Sequence, residues 1–277
     1  MTPAQYCQEK AARSGSSFYY SFLFLPRERR EAITALYAFC REVDDIADEC
    51  RDPLLAETKL AWWRDELGRT FAGQPTHPVS QALLPAIQAH DLAPEHFAEI
   101  IDGMEMDLQR VRYADFKTLQ LYCYRVAAVV GQLSAAIFGY QARNTLKYAH
   151  DLGLAFQLTN IIRDVGEDAR RNRIYLPQDE MARFGVSEHD LINGQRSAGF
   201  IALMQHQVHR AQMFYQQALG ELPDSDRRNQ RPGLVMAAIY QTLLREIERD
   251  DFQVLDRRIS LTPIRKLWIA GKTWFSA

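Results

Sequence analysis

Helical periodicity runs through this sequence from end to end, and it is the feature that most restricts the fold. Apolar residues recur every three or four positions in almost every segment, and no series of alternating strands separated by hairpin turns is present. The segments expected as helices are 26–50, 54–72, 78–89, 94–110, 116–140, 143–166, 187–192, 197–222, 231–251 and 263–275. The loops between them are short, so we predict an all-α fold in which residues 1–277 form a single domain.

The first of these helices carries a stripe of polar residues inside an apolar pattern. The stripe consists of Tyr37, Arg41, Asp44 and Asp48. Spacings of four, three and four residues stack these side chains on one side of a helix. Two carboxylates about 6 Å apart repel by roughly 3 kcal/mol at an effective dielectric of about 20, so Asp44 and Asp48 favour a cation between them. Asp45 is rotated by about 100° from Asp44, and we expect it to be the lesser partner.

A second stripe of polar residues lies about 120 residues further along and has the same helical spacing. It consists of Gln157, Asn160, Asp164 and Asp168, with Arg163 beside it. A solvated helix face would explain either stripe alone. Both, however, mix carboxylates with arginine and uncharged oxygen donors, and we therefore expect the two helices to face each other across a functional cavity.

Composition excludes some partners and leaves others open. A formal net charge of −2 and a pI near 6.4 give no basic footprint for nucleic acid. The four cysteines lie far apart, and we read no secretory signal or membrane span, which predicts a reduced, cytoplasmic setting. The last predicted helix, 263–275, is basic and aromatic; packing against the bundle and peripheral contact with the inner face of a membrane both remain open.

Paired carboxylates can serve several chemistries, and the sequence helps to choose among them. A glycosidase needs two acids in an open polar cleft, whereas these acids lie among apolar residues. A di-iron bundle needs a Glu three residues before a His, and none of the seven histidines has one. Gly68 and Gly73 have the spacing of a nucleotide-binding loop, but Gln74 and Pro75 stand where Lys and Ser or Thr are needed.

Phosphate chemistry assisted by Mg²⁺ remains, with carboxylates binding the ions and arginines balancing the charge. A charged mouth on an apolar helical cavity fits a substrate with a diphosphate head and a long apolar tail. The sequence therefore predicts a prenyl diphosphate as substrate. The arginines at positions 170, 171 and 173 follow the second stripe, and they are either a solvated charge run or a flap that closes over the anion.

Four motifs carry a resemblance to a known family. They are YAFCREVDDIAD (37–48), YCYRVAAVVG (122–131), QLTNIIRDVGED (157–168) and RIYLP (173–177). In these, the chain resembles the squalene/phytoene synthases, which join two prenyl diphosphates head to head within a helical bundle of the isoprenoid synthase type that encloses a central apolar cavity. The opening SGSSFYYSFLFLP looks most like bacterial presqualene diphosphate synthases.

The resemblance implies a role for each matching residue. The implied ligands of two or three Mg²⁺ ions are Asp44, Asp48, Asn160, Asp164 and Asp168. The implied substrate-binding residues are Ser14, Gly15, Ser16, Ser17, Phe18, Tyr37, Arg41, Gln157, Arg163, Tyr240 and Arg257. The implied catalytic set comprises Asp44, Asp48, Asp164, Arg41 and Arg163, together with Tyr122, which is associated with proton transfer. Ala128 stands where many members have Gly, so packing there is expected to differ.

The implied reaction joins two farnesyl diphosphates into presqualene diphosphate, which a downstream enzyme would convert to squalene for hopanoid synthesis. No dinucleotide loop or hydrophobic C-terminal anchor is recognisable, and we expect no use of NADPH. Because the nicotinamide site of this family is not a glycine motif, a full squalene synthase stays an alternative. So do a phytoene synthase acting on geranylgeranyl diphosphate and a non-catalytic protein that only binds prenyl lipids.

Overall fold

The computed structural model describes residues 1–13, 18–22, 24–50, 52–109 and 112–276, and the secondary structure in these ranges is helical, without strands. The α-helices are α1 (Pro3–Arg13), α2 (Phe18–Phe22), α3 (Arg27–Glu49), α4 (Pro53–Phe71), α5 (Pro78–His90), α6 (Pro94–Leu108), α7 (Phe116–Cys123), α8 (Val129–Phe138), α9 (Asn144–Arg170), α10 (Gln178–Arg183), α11 (Glu188–Ile192), α12 (Ala198–Glu221), α13 (Asp224–Arg227), α14 (Arg231–Arg249) and α15 (Pro263–Ser276). A π-helical segment, Tyr124–Ala128, joins α7 to α8, and a short 3₁₀ turn covers Gln253–Leu255. The all-α prediction is confirmed.

Local chemistry explains why most helix ends lie close to their predicted positions. Pro53, Pro78 and Pro94 each occupy the first turn of a helix, where their fixed φ is favourable and no amide donor is lost. Asp115 and Thr118 form a capping box that starts α7. Four helices in the described ranges were not predicted from the pattern: α1, α2, α10 and α13. Each is short or buries few apolar residues and therefore gives a weak periodic signal.

The predicted end of α9 at Gly166 is wrong, because the helix continues to Arg170. Gly166 lies inside the helix rather than at its end. A Cβ on Gly166 would lie 2.6 Å from both Cα and O of Leu255, so the missing side chain serves close packing against a loop. The four extra residues extend α9 beyond Asp168, which keeps the whole second stripe on one rigid helix.

Two hydrophobic clusters form the core, one around α9, α12 and α14 and the other around α3 to α6. Phe18, Tyr124, Val126 and Trp274 pack against both clusters, which joins them into one body. α9 contacts α8, α12, α14 and the π-helical segment and is therefore the central helix of the bundle.

The segment Phe116–Phe138 is the one helix in the described ranges with the length and apolarity to cross a membrane. It corresponds to the predicted helix 116–140 and packs against α6 and α9. Small residues make this approach possible: a Cβ on Gly131 would lie 2.4 Å from the Ala149 carbonyl oxygen, and one on Gly153 would lie 2.6 Å from the Ala127 carbonyl oxygen.

Candidate active site

A cavity of about 760 Å³ runs through the bundle between α3 and α9. One end carries the acids of both stripes, and the other is lined by apolar side chains that include Phe22, Phe138 and Tyr148. Tyr148 and Asp164 both line it and are sixteen residues apart on α9, which corresponds to roughly 24 Å along the helix axis. The cavity is therefore long, with a polar mouth and an apolar far end.

All four residues of the first stripe line this cavity, as predicted. The Arg41 guanidinium donates to Asp44 Oδ2 at 2.5 Å and also pairs with Asp45. Burial, together with the negative charge of Asp48, raises the pKa of Asp44 to about 7. Asp45 binds Lys10 Nζ at 2.8 Å and is not among the lining residues, in agreement with its predicted lesser role.

The second stripe faces the first across the mouth, and its four residues together with Arg163 line the cavity. Asp164 receives Arg163 Nε at 2.8 Å and Arg258 Nε at 3.0 Å. Burial, reinforced by the charge of Asp164, raises the pKa of Asp168 to about 7. Among the described residues, the cavity lining thus holds six carboxylates beside five arginines and one lysine.

The arginines that follow the second stripe have separate partners. Arg173 crosses to α3, where it pairs with Asp48 and donates to the Ala47 carbonyl oxygen at 2.7 Å. Arg170 donates to the Leu255 carbonyl oxygen. Arg171 pairs with Glu167 one turn earlier and also lines the cavity. The segment after α9 therefore reaches over the mouth through Arg173.

The oxygen donors at the mouth fit Mg²⁺. Asn160 donates its amide to Gln157 Oε1 at 3.3 Å, while its buried Oδ1 has no hydrogen-bond partner in the described ranges. A buried oxygen without a hydrogen-bond partner destabilises the folded protein unless a ligand binds to it. Within the same ranges, no three acidic, histidine or cysteine side chains converge on one metal position. This suits Mg²⁺, which usually takes only one or two carboxylates and completes its shell with water and substrate phosphate.

A second polar group, which sequence reasoning missed, lies deeper in the wall. Asp107 accepts a hydrogen bond from Tyr122 Oη at 2.9 Å and another from Tyr175 Oη at 2.6 Å. The two phenol rings are stacked, with centroids 5.1 Å apart. Burial raises the pKa of Asp107 despite both hydrogen bonds. Asp107 lies three residues after Met104 and seven after Ile100, so helical spacing places it on the same face of α6 as these two residues. This spacing is the sequence signal that could have identified Asp107.

The remaining predicted residues fall into three groups. Phe18 and Tyr240 line the cavity, and Tyr240 lies beside Arg163. Residues Ser14, Gly15, Ser16 and Ser17 lie outside the described ranges. Arg257 is a correction: its guanidinium pairs with Asp250 at 2.5 Å and is not among the lining residues, whereas its neighbour Arg258 lies in the mouth on Asp164.

Comparison with known proteins agrees with this geometry. A family model described as squalene/phytoene synthase matches residues 11–265. The chain belongs to the squalene/phytoene synthase family. It is 37% identical to the 15-cis-phytoene synthase of Synechococcus elongatus over 276 residues, which cover 94% of this chain and 89% of that protein.

Two solved structures are similar over nearly the whole fold. A dehydrosqualene synthase in complex with a ligand has a TM-score of 0.89 at 27% identity, covering 99% of this chain and 96% of that one. The squalene synthase HpnC of Alicyclobacillus acidocaldarius has a TM-score of 0.79 at 28% identity, covering 90% of this chain and 94% of the other. The fold is of the isoprenoid synthase type, and the family membership supports a prenyltransferase that condenses prenyl diphosphates head to head.

Proposed function

We propose that this protein joins two prenyl diphosphates head to head in a Mg²⁺-dependent reaction. The observation that carries the proposal is the meeting of two acidic stripes, with their arginines, at the mouth of a long apolar cavity. This is the arrangement that a diphosphate head and an isoprenoid tail require. Mg²⁺ bound to Asp44, Asp48, Asn160, Asp164 and Asp168 would supply charge stabilisation for the departing diphosphate.

The protein's own residues have the remaining tasks. The carbon–oxygen bond of one substrate breaks, and Arg41, Arg163 and Arg258 at the mouth balance the charge of the diphosphate that leaves. The apolar wall keeps water from the allylic cation. The double bond of the second substrate attacks this cation, and loss of one proton closes a cyclopropane that still carries its own diphosphate. We assign Tyr122 Oη as the acceptor of that proton, while its own hydroxyl proton passes to the Asp107 carboxylate, to which it already donates a hydrogen bond.

Two lengths of the substrate's isoprenoid chain have separate support. The curated relatives at 34–37% identity, among them the enzymes of Synechococcus elongatus and Synechocystis, are named phytoene synthases and favour geranylgeranyl diphosphate with phytoene as product. The dehydrosqualene and squalene synthase structures support farnesyl diphosphate with presqualene diphosphate as product. The sequence opening SGSSFYYSFLFLP favours the second candidate. The relatives' names make geranylgeranyl diphosphate the first substrate to test.

A competition assay separates these candidates. Purified protein with Mg²⁺ is given equal amounts of both diphosphates, with and without NADPH, and each product is identified by mass spectrometry. Phytoene supports the first candidate, and presqualene diphosphate supports the second. Squalene formed only with NADPH would extend the reaction by a reduction. Binding of both diphosphates with no product would refute the proposed activity and leave a lipid-binding protein.

Substitutions at the mouth test the assignment of the acids. Asp48→Ala and Asp164→Ala should each lower turnover by at least about 10²-fold, because stabilisation of the leaving diphosphate is lost. Glu49→Ala is the matched control: it removes the same charge from the same helix, but Glu49 is exposed and does not line the cavity. Near-normal turnover in both aspartate variants would refute the metal assignment.

A further inference from the structure

The outer face of α15 carries apolar side chains that nothing in the described ranges covers. Ile264, Trp268 and Phe275 have exposed fractions of 81%, 65% and 82%, and Leu267 is exposed beside them. Their spacing places them on one side of the helix. We call these four residues the outer stripe. The opposite side, with Ile269 and Ala270, is buried against the bundle, so α15 is apolar on both sides.

The charged residues of the segment that contains this stripe are all basic. From residue 257 to residue 277 the chain contains five lysines and arginines and no acid, although the whole protein has a net charge of −2. Arg265 and Lys272 lie about 80 to 100° around the helix from the centre of the stripe and so border it, and Arg265 also pairs with Glu246 of α14 at 2.8 Å. Lys272 Nζ lies 5.3 Å from the Trp268 ring centroid. An apolar helix face bordered by cations is complementary to an anionic lipid surface.

The position of α15 relates the outer stripe to the cavity. Arg258 and Leu261, just before α15, and Lys266 in its first turn line the cavity, so the start of this helix forms part of the mouth. The outer stripe lies on the opposite side of the same helix. Near the other end of α15, Trp274 packs on the partly exposed Phe24, with ring centroids 5.3 Å apart, which widens the apolar area. A prenyl tail leaving a bilayer in contact with the outer stripe would pass around one helix, about 10–12 Å across, to reach the cavity.

We propose that α15 is an interfacial helix that docks the protein on anionic membranes through its outer stripe. The helix lies in the plane of the lipid headgroups, with Ile264, Trp268 and Phe275 inserted and the cations at the headgroup level. Docking in this position holds the cavity mouth about one helix diameter from the bilayer that would supply a lipid substrate. The proposal concerns binding to lipid and holds whichever prenyl diphosphate is consumed.

Co-sedimentation of the whole protein with vesicles tests the proposal without any substrate. One vesicle preparation contains equal parts of phosphatidylglycerol and phosphatidylcholine, and the other contains phosphatidylcholine alone. The protein should bind the anionic vesicles, more weakly as salt is raised, and bind the neutral ones less. Trp268→Glu with Phe275→Glu should lower the partition coefficient by about 100-fold, since burial of each ring contributes roughly tenfold or more.

The matched control is Leu54→Glu with Met213→Glu, which changes two exposed apolar residues of α4 and α12 in the same way. This control should bind vesicles as the unchanged protein does. The helical circular dichroism spectrum and the thermal unfolding temperature show whether the α15 variant is folded, and Ile264→Glu replaces it if it is not.

Three results would overturn the proposal. One is failure of the unchanged protein to bind anionic vesicles, and another is equal binding by the α15 variant. The third is a dimer, seen by light scattering, that the α15 variant converts to a monomer, because the stripe would then be an interface with a second copy. None of these results depends on turnover, so failure of the docking proposal and failure of the proposed function are distinguishable.

Discussion

Asp107 offers the sharpest test of how the cavity wall controls the reaction. Its two carboxylate oxygens accept separate hydrogen bonds, from Tyr122 Oη and from Tyr175 Oη. Asp107→Asn keeps the size of the side chain but exchanges one oxygen for an NH₂ group. Since both phenols donate to Asp107, one of them must then face a donor instead of an acceptor.

The expected magnitude follows from that single lost contact. A hydrogen bond to a charged acceptor contributes about 1.5–3 kcal/mol, which corresponds to roughly 10- to 150-fold if it is needed to hold Tyr122 in the transition state. The free energy of unfolding should change less than the activation free energy does. Burial already raises the pKa of Asp107, so replacing the carboxylate by a neutral amide removes a cost as well as a bond, and we expect a loss of about 1 kcal/mol.

Steady-state kinetics of a double-mutant cycle decides whether Asp107 acts by positioning Tyr122. The variants are Asp107→Asn, Tyr122→Phe and the two combined, with Tyr175→Phe as the control that keeps the Tyr122 hydrogen bond. We expect kcat to fall in the first two, KM to stay nearly constant, and the combined variant to be no slower than Tyr122→Phe. Multiplied losses in the combined variant, or an equal loss in Tyr175→Phe, would refute the reasoning.

Two further predictions follow from the pKa values of the mouth and from the packing of α9. Because the pKa values of Asp44 and Asp168 are raised to about 7, Mg²⁺ affinity measured by calorimetry should fall by about tenfold per acid between pH 8 and pH 6. The stability of the metal-free protein should show the opposite trend: its free energy of unfolding should decrease as pH rises from about 4 to 7. The reason is that the folded state holds these protons more tightly than the unfolded chain. A Mg²⁺ affinity that does not change with pH would contradict both statements. Gly153→Ala should lower the free energy of unfolding by about 1–3 kcal/mol in urea, since its Cβ would lie 2.6 Å from backbone atoms of the π-helical segment. Gly220→Ala in α12, with no atom within 4 Å, should instead raise it by about 0.5–1 kcal/mol, and equal effects at the two positions would contradict the packing argument.

Sequence periodicity predicts this fold well because each main helix has a buried face and a chemical reason to begin where it does. Prediction from periodicity fails where one residue type can serve two structural roles. Gly166 is typical of a helix end, yet here the helix continues for four more residues and the glycine allows Leu255 to approach α9 closely. The π-helical turn at Tyr124–Ala128 is another such case, since the segment has an ordinary helical pattern and a close neighbour in Gly153.

The candidate site was predictable where spacing alone brings residues together and unpredictable where the contact depends on another element. Both acidic stripes can be read from three- and four-residue intervals. The salt bridge from Arg173 to Asp48 spans 125 residues and has no local signal. Arg257 and Arg258 are equally plausible cations in the sequence, and only the direction of the chain after the 3₁₀ turn sends one to Asp250 and the other to Asp164.

The ion pairs of the mouth explain how one small region can hold both carboxylates and an anionic substrate. Three acids are paired with guanidinium groups: Asp44 with Arg41, Asp48 with Arg173, and Asp164 with Arg163 and Arg258. Such pairing offsets the repulsion between carboxylates that would otherwise destabilise a mouth without metal. Under the proposed function, carboxylates bound to Mg²⁺ would no longer need these partners, and the same guanidiniums would then be free to bind diphosphate. The arginines would therefore serve first the folded protein and then its substrate, which would account for an arginine in or beside each acidic stripe.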